Sequence, residues 1–300
     1  MHITAIALLS TLVLASGCGD GASTVDTQPA PQLTGPHPTP AAVPEGEGDG
    51  EGRPGIGLGF LLTSSVRLDN QALIRAAAAS GITLVEMPPA ADEEASPVAS
   101  FQMEGGGILM VMPIDAPHPD AAGMARTPLT VDEEGLAKAS AHFIVTAMNL
   151  QGDVRQRDTT LAKLVGATVQ ATDAIGAMLG HGVLFYKADL FAAAAKGDNG
   201  EPPMLVSVDL TMAAEGEGRM SVLSHGMERY GREEFYVTAS QTEKGALDFT
   251  MSMVTWLLYD ADKELPTGDT VGRSAEEKLI VQRVANPTGE GPEVIRLDLP

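Results

Sequence analysis

The sequence predicts an α+β protein, with mixed, largely antiparallel sheets packed by two long helices at about 158–176 and 245–260. Three observations carry this. Short apolar or alternating runs recur between Gly and Pro clusters, the pattern of strands joined by turns. Two longer segments keep apolar residues at i, i+3 and i+4, the period of an amphipathic helix. Glycines also cluster where hairpins should reverse, at Gly105-Gly106-Gly107 and at Gly216 and Gly218.

Residues 3–14 form an apolar run too short to stay in a bilayer as a spanning helix. The small residues Ala15-Ser16-Gly17 follow, so 1–17 is expected to be a signal peptide. Ala15-Ser16-Gly17-Cys18 resembles the lipobox of bacterial lipoproteins, with Ala15 where Leu is commonest. That resemblance implies cleavage before Cys18 and acylation of its thiol. The membrane is then a partner through the lipid, and the chain sits in the cell envelope, on the outer membrane facing the periplasm or at the surface. An ordinary secretory signal is the alternative, because Ala15 and Gly17 also suit cleavage. Cys18 is the only cysteine, which excludes an internal disulfide and a cysteine-based zinc site.

From Cys18 to residue 54, six prolines lead into EGEGDGEGRPG, which cannot bury apolar surface. This segment is expected to be a disordered tether spanning roughly 30–36 Å as a flexible coil. Its acidic run lacks calcium-loop spacing. Gly55-x-Gly57-x-Gly59 precedes an apolar strand instead of following one, the wrong side for a dinucleotide fingerprint. No cofactor and no metal is predicted. Residues 55–300 are expected to form the folded part, as one domain or as halves at about 55–150 and 151–300.

Within it, Gly59 to Thr63 suits a buried strand, and Asp69 caps a helix closed by Gly81. Ile82 to Met87 is a strand ended by Pro88-Pro89, and ADEEASP is a loop. Val98–Met103 and Ile108–Met112 flank the glycine triplet as a hairpin, and His142–Ala147 is another strand. Asp158 is placed as the cap of the clearest helix, whose stripe runs from Leu161 to Ile175. Val183–Tyr186 is read as a strand and Asp189–Lys196 as a short helix. Met204 to Met212 alternates, with Met204, Val206, Val208, Leu210 and Met212 on one face of a half-exposed strand. In the last long helix, Leu247, Met251, Val254 and Leu258 share a face widened by Trp256 and Leu257. The chain closes on a hairpin, 278–284 with 293–299. Phe60-x-x-Thr63, Phe143-x-x-Thr146 and Phe235-x-x-Thr238 each precede a predicted helix, which suggests recurrent βα units.

The candidate site is Ser224–Ser240, where Gly226 and Gly231 mark a sharp structural turn. His225, Glu228, Tyr230 and Glu234 surround those glycines as candidate binding residues. Together His225, Glu228 and Glu234 offer an imidazole and two carboxylates, enough for acid–base work or a divalent cation. Zinc, however, normally recruits three or four ligands at recognisable spacing, and no H-E-x-x-H or H-x-x-x-H occurs. Of the other histidines, His142 is expected in the core, His181 in a loop and His118 facing solvent.

Charge excludes one class of partner. The chain carries a net −21, and residues 55–300 hold 34 acids against 18 bases. Such a surface repels phosphate backbones, so nucleic acid is not a partner.

His225-Gly226-Met227, Tyr230-Gly231 and Glu234-Phe235 resemble the signature of the bacterial domain-of-unknown-function family DUF4261. The segment TLAKLVGATVQATDAIGAMLGHGVLFY, the Ala141-His142 strand and Gly268-Asp-Thr-Val-Gly272 are similar in order to that family's features. The resemblance covers about 140–300, and 56–140 more loosely. It implies an α+β fold and no established activity. Two functions from different classes follow. One is a non-catalytic envelope module that binds a protein or small molecule. The other is a hydrolase or metal-dependent enzyme centred on His225, Glu228 and Glu234.

Overall fold

The computed structural model describes residues 55–88, 97–197, 203–241, 245–260 and 263–300. The signal, lipidation and tether expectations, Cys18 included, and most of the ADEEASP loop lie outside the described residues.

The architecture is α+β. β1 (Gly55–Thr63) leads to α1 (Asn70–Ala79), β2 (Leu84–Glu86), β3 (Ala99–Met103) and β4 (Ile108–Ile114). α2 (Glu133–Lys138), β5 (Ala141–Leu150), α3 (Val154–Gln170), β6 (Ala174–Leu179) and β7 (Tyr186–Lys187) follow. Together the seven strands form an antiparallel sheet in the order β2-β3-β4-β5-β1-β6-β7. Next come α4 (Ala188–Ala194), α5 (Met204–Ser207), β8 (Asp209–Gly216), β9 (Arg219–His225), β10 (Phe235–Ser240) and α6 (Ala246–Tyr259). β11 (Thr270–Val271), β12 (Leu279–Ile280), β13 (Gln282–Val284) and β14 (Val294–Asp298) complete the chain. The second sheet runs β13-β14-β10-β9-β8 and is mixed, because β10 and β14 are parallel. β11 and β12 form a separate pair.

Each sheet has its own core. Leu61, Phe101, Phe143, Leu161, Val165 and Phe191 are buried where α1, α3 and α4 cover the first sheet. Val222, Phe235, Val237, Phe249, Val254 and Leu297 are buried where α6 covers the second. A smaller cluster, Leu62, Val131, Met178 and Phe185, fills the other face of the first sheet.

Local chemistry explains the elements that match expectation. Asp69 accepts from the Ala72 N–H at 2.9 Å, and Gly81 takes φ +80° beyond the helix end. Gly216 and Gly218 both adopt positive φ and reverse β8 into β9. The three Phe-x-x-Thr strands are β1, β5 and β10, and helices follow all three. β1 and β5 nevertheless pair antiparallel, with Phe60 opposite Ile144, so they are not a parallel βαβ unit.

Five expectations need correction. Val183–Tyr186 is not a strand: Val183, Leu184 and Phe185 form a loop, and β7 holds only Tyr186 and Lys187. α3 begins at Val154, capped by Asp153, which forms a capping box with Gln156. Asp158 is therefore inside the helix, and the helix ends at Gln170, leaving Ile175 on β6. Met204–Ser207 is a helical turn, so strict alternation fails: Ser207, Val208, Asp209 and Leu210 are all buried and Met212 is exposed. On α6 Val254, Leu257 and Leu258 are buried as expected, but Ala246, Phe249, Thr250 and Met253 complete the buried face, Leu247 and Met251 are only half-buried and Trp256 is exposed. Asp248, Ser252 and Thr255 mark the side turned away from the sheet. His118 packs edge-on against Phe60, His142 and Phe185 at ring separations of 5.2–5.3 Å and does not face open solvent.

The Gly55-x-Gly57-x-Gly59 pattern has a packing cause. A Cβ on Gly55 would meet Arg157, one on Gly57 would meet Leu161, and one on Gly59 would meet Val165. Alternate residues of a strand advance about 6.6 Å, and every fourth residue of a helix about 6 Å. The bare side of β1 is thus a track on which one stripe of α3 lies, residue by residue. Gly59→Ala is expected to cost about 1–3 kcal/mol through overpacking. The double variant Gly59→Ala/Val165→Ala should recover much of it in urea unfolding, which a purely conformational role for Gly59 would not allow.

Candidate functional site

The turn after β9 is built by two glycines and one carboxylate. Gly226 has φ +114° and Gly231 φ +69°, a conformation few side chains tolerate. A Cβ at Gly226 would also stand 3.0 Å from the Ser207 carbonyl oxygen. Between the glycines, Met227–Tyr230 is one turn of 3₁₀ helix.

Glu234, buried beneath this turn, holds it closed. Its Oε1 accepts from the N–H groups of Gly226 (2.7 Å) and Met227 (2.8 Å), and its Oε2 from the Ser224 hydroxyl (2.5 Å). Ser224 Oγ in turn accepts from the Phe235 N–H at 2.8 Å. Burial pushes the Glu234 carboxyl up, and these hydrogen bonds pull it partly back.

The remaining candidates point to different partners. His225 Nε2 lies 2.8 Å from Thr211 Oγ1, and burial lowers its pKa to about 4, so it is neutral at pH 7. Glu228 is exposed. Tyr230 reaches away from the turn and donates its hydroxyl to Asp158 Oδ2 at 2.7 Å. Gly226 and Gly231 have the turn role expected of them, whereas His225, Glu228 and Glu234 do not converge as a ligand set. Among the described residues, no three His, Cys, Asp or Glu side chains are placed to share a metal ion.

The structure instead gathers polar residues that sequence spacing did not single out. Asp158, from α3, receives Arg229 Nη2 at 2.6 Å and Nε at 3.3 Å as well as Tyr230. Asp209, from β8, accepts the N–H groups of Val183 (2.5 Å) and Leu184 (3.0 Å) and the Tyr186 hydroxyl (2.8 Å). Burial raises Asp209 to about 6 against those hydrogen bonds. His181 sits between Gly180 and Gly182 as expected of a loop residue, yet it is lodged against the Ser207 carbonyl oxygen at 3.2 Å. Burial, then the Arg229 charge, lowers His181 to about 4.

A cleft of about 380 Å³ opens beside the turn, with Arg232, Glu233, Leu257, Lys263, Leu265 and Arg283 among its walls. Its arginines are largely engaged. Arg283 forks onto Glu233 at 2.6 and 2.7 Å, and Arg232 donates to the Asp260 and Lys263 carbonyls.

Compared with known proteins, the chain matches no family model, no curated protein and no solved structure.

Glu234→Ala would strand the donors of Ser224, Gly226 and Met227, each costing about 1–3 kcal/mol when unsatisfied. A drop of several degrees in melting temperature is expected, and an unchanged one would remove Glu234 from the scaffold. His181 and His225 are expected to keep neutral-imidazole NMR shifts down to about pH 5 and to titrate near 4. Since these folded values lie below 6.5, the stability they confer is present above pH 6.5 and lost as pH falls through about 4. A midpoint of 6–7 for either would mean an open, solvated ring.

Proposed function

We propose that this chain is a lipid-anchored protein of the bacterial cell envelope whose acidic α+β part is a non-catalytic binding module. In this reading the chain is cleaved before Cys18, acylated there, and carried clear of the bilayer by residues 19–54. Two or three acyl chains at about 0.8 kcal/mol per buried methylene give durable anchoring. Among the described residues no helix is long and apolar enough to cross a membrane.

One observation supports a binding role over chemistry. Of the groups that would do acid–base work at the turn, His225 and Glu234 are occupied inside the fold, above all Glu234, whose carboxylate takes two backbone N–H groups and a hydroxyl, and exposed Glu228 is left without either beside it. A general base must instead reach a substrate proton.

Cys18→Ser is expected to move the protein from the membrane to the soluble fraction and to abolish palmitate labelling. Wild-type protein that is soluble and unlabelled would leave a secreted protein. A native mass spectrum of full-length Cys18→Ser protein that carries a metal, lost on His225→Ala, would favour the metal-dependent enzyme.

A further inference from the structure

The second sheet ends on an edge unlike the others. β2 and β13 are three residues long and β7 is two, short enough to offer little to a passing strand. β7 is also bridged on its outer side by Thr130. β8 runs for eight residues, pairs only with β9 and forms the sheet's last strand. Residues 212–218 are exposed and Thr211 is half-buried.

Natural edges of this length are usually blunted by Lys, Pro or an inward-pointing charge. β8 opens on one inward-pointing charge, Asp209, but Leu210-Thr211-Met212-Ala213-Ala214 has no Lys, Pro or charge, and its bulge falls only at the far end, between Ala214 and Gly216. Among the described residues no backbone hydrogen bond reaches the outer side of this stretch. Toward the described residues it therefore presents unpaired N–H and C=O groups, flanked by the small side chains of Thr211, Ala213 and Ala214.

Charge selects the occupant. From Leu210 to Gly218 the only ionisable side chains are Glu215 and Glu217, and the whole chain carries −21. A second copy would bring an equal negative charge to the same edge, which opposes self-pairing. We infer that β8 is a docking edge for an extended, basic segment of a partner protein, added as a sixth strand. Backbone pairing would supply affinity, and Lys or Arg side chains at the end of the segment nearest the hairpin would meet Glu215, which also accepts from Ser221 Oγ at 2.6 Å, and Glu217 in the turn. This rests on the binding-module reading and names its partner's chemistry.

The test uses the full chain as its Cys18→Ser variant, with a short peptide alternating Lys and Val. Binding should protect the amides of Thr211–Glu215 from hydrogen exchange. N-methylation of alternate peptide bonds, at unchanged charge, should weaken binding roughly tenfold or more. Exchanging Lys for Glu in the peptide should abolish it. Met212→Lys, an exposed change of the kind that natural edges use, should weaken binding and leave the melting temperature unaltered. The inference fails if the N-methylated peptide binds equally well, if no peptide binds, or if sedimentation shows β8 pairing with a second copy. Peptide binding that protects other residues, such as those of the Gly231–Glu233 cleft, overturns the edge but keeps the binding module. A His225-dependent bound metal instead overturns the module itself.

Discussion

Two buried carboxylates join the two sheets, and much else in the structure depends on them. Asp158 rises from the helix that covers the first sheet and receives Arg229 and Tyr230 from the turn of the second. Asp209, on β8 of the second sheet, takes two backbone N–H groups and the Tyr186 hydroxyl from the first. The exchange is reciprocal, an acid from each side meeting a tyrosine from the other. Removing a partner from such a buried charge is far more damaging than the net worth of the pair, because the charge is left uncompensated. The two junctions thereby fix how the sheets meet.

The glycine track on β1 is the apolar counterpart. Leu161 and Val165 lie directly over Gly57 and Gly59, so α3 approaches the strand more closely than side chains would permit. That approach sets the depth at which α3 sits, and hence where Asp158 enters the junction. Packing and electrostatics are coupled through one helix.

At the Ser224–Ser240 turn the same economy shapes the backbone. Gly226 and Gly231 bend the chain, and the Glu234 carboxylate gathers the N–H groups that the bend exposes. A carboxylate so engaged behaves as a cap. Elsewhere the second sheet ends on the eight-residue strand β8, and the cleft beside the turn is walled by Arg232 and Arg283, both engaged within the fold.

The sequence by itself determined the class of fold, most strand and helix positions, the Asp69 cap and the role of Gly226 and Gly231. These follow from local rules, since period, capping chemistry and positive φ depend on near neighbours. It also set the net charge of −21, because charge sums over residues wherever they lie. Tertiary structure alone decided the rest. Asp158 was legible as a helix-capping acid and Asp209 as an outward residue of an alternating strand. Their inward roles depend on Tyr230 and Tyr186, which lie 72 and 23 residues away. The sense of Gly55-x-Gly57-x-Gly59 needed α3, because a missing Cβ has meaning only against the side chain that fills its place.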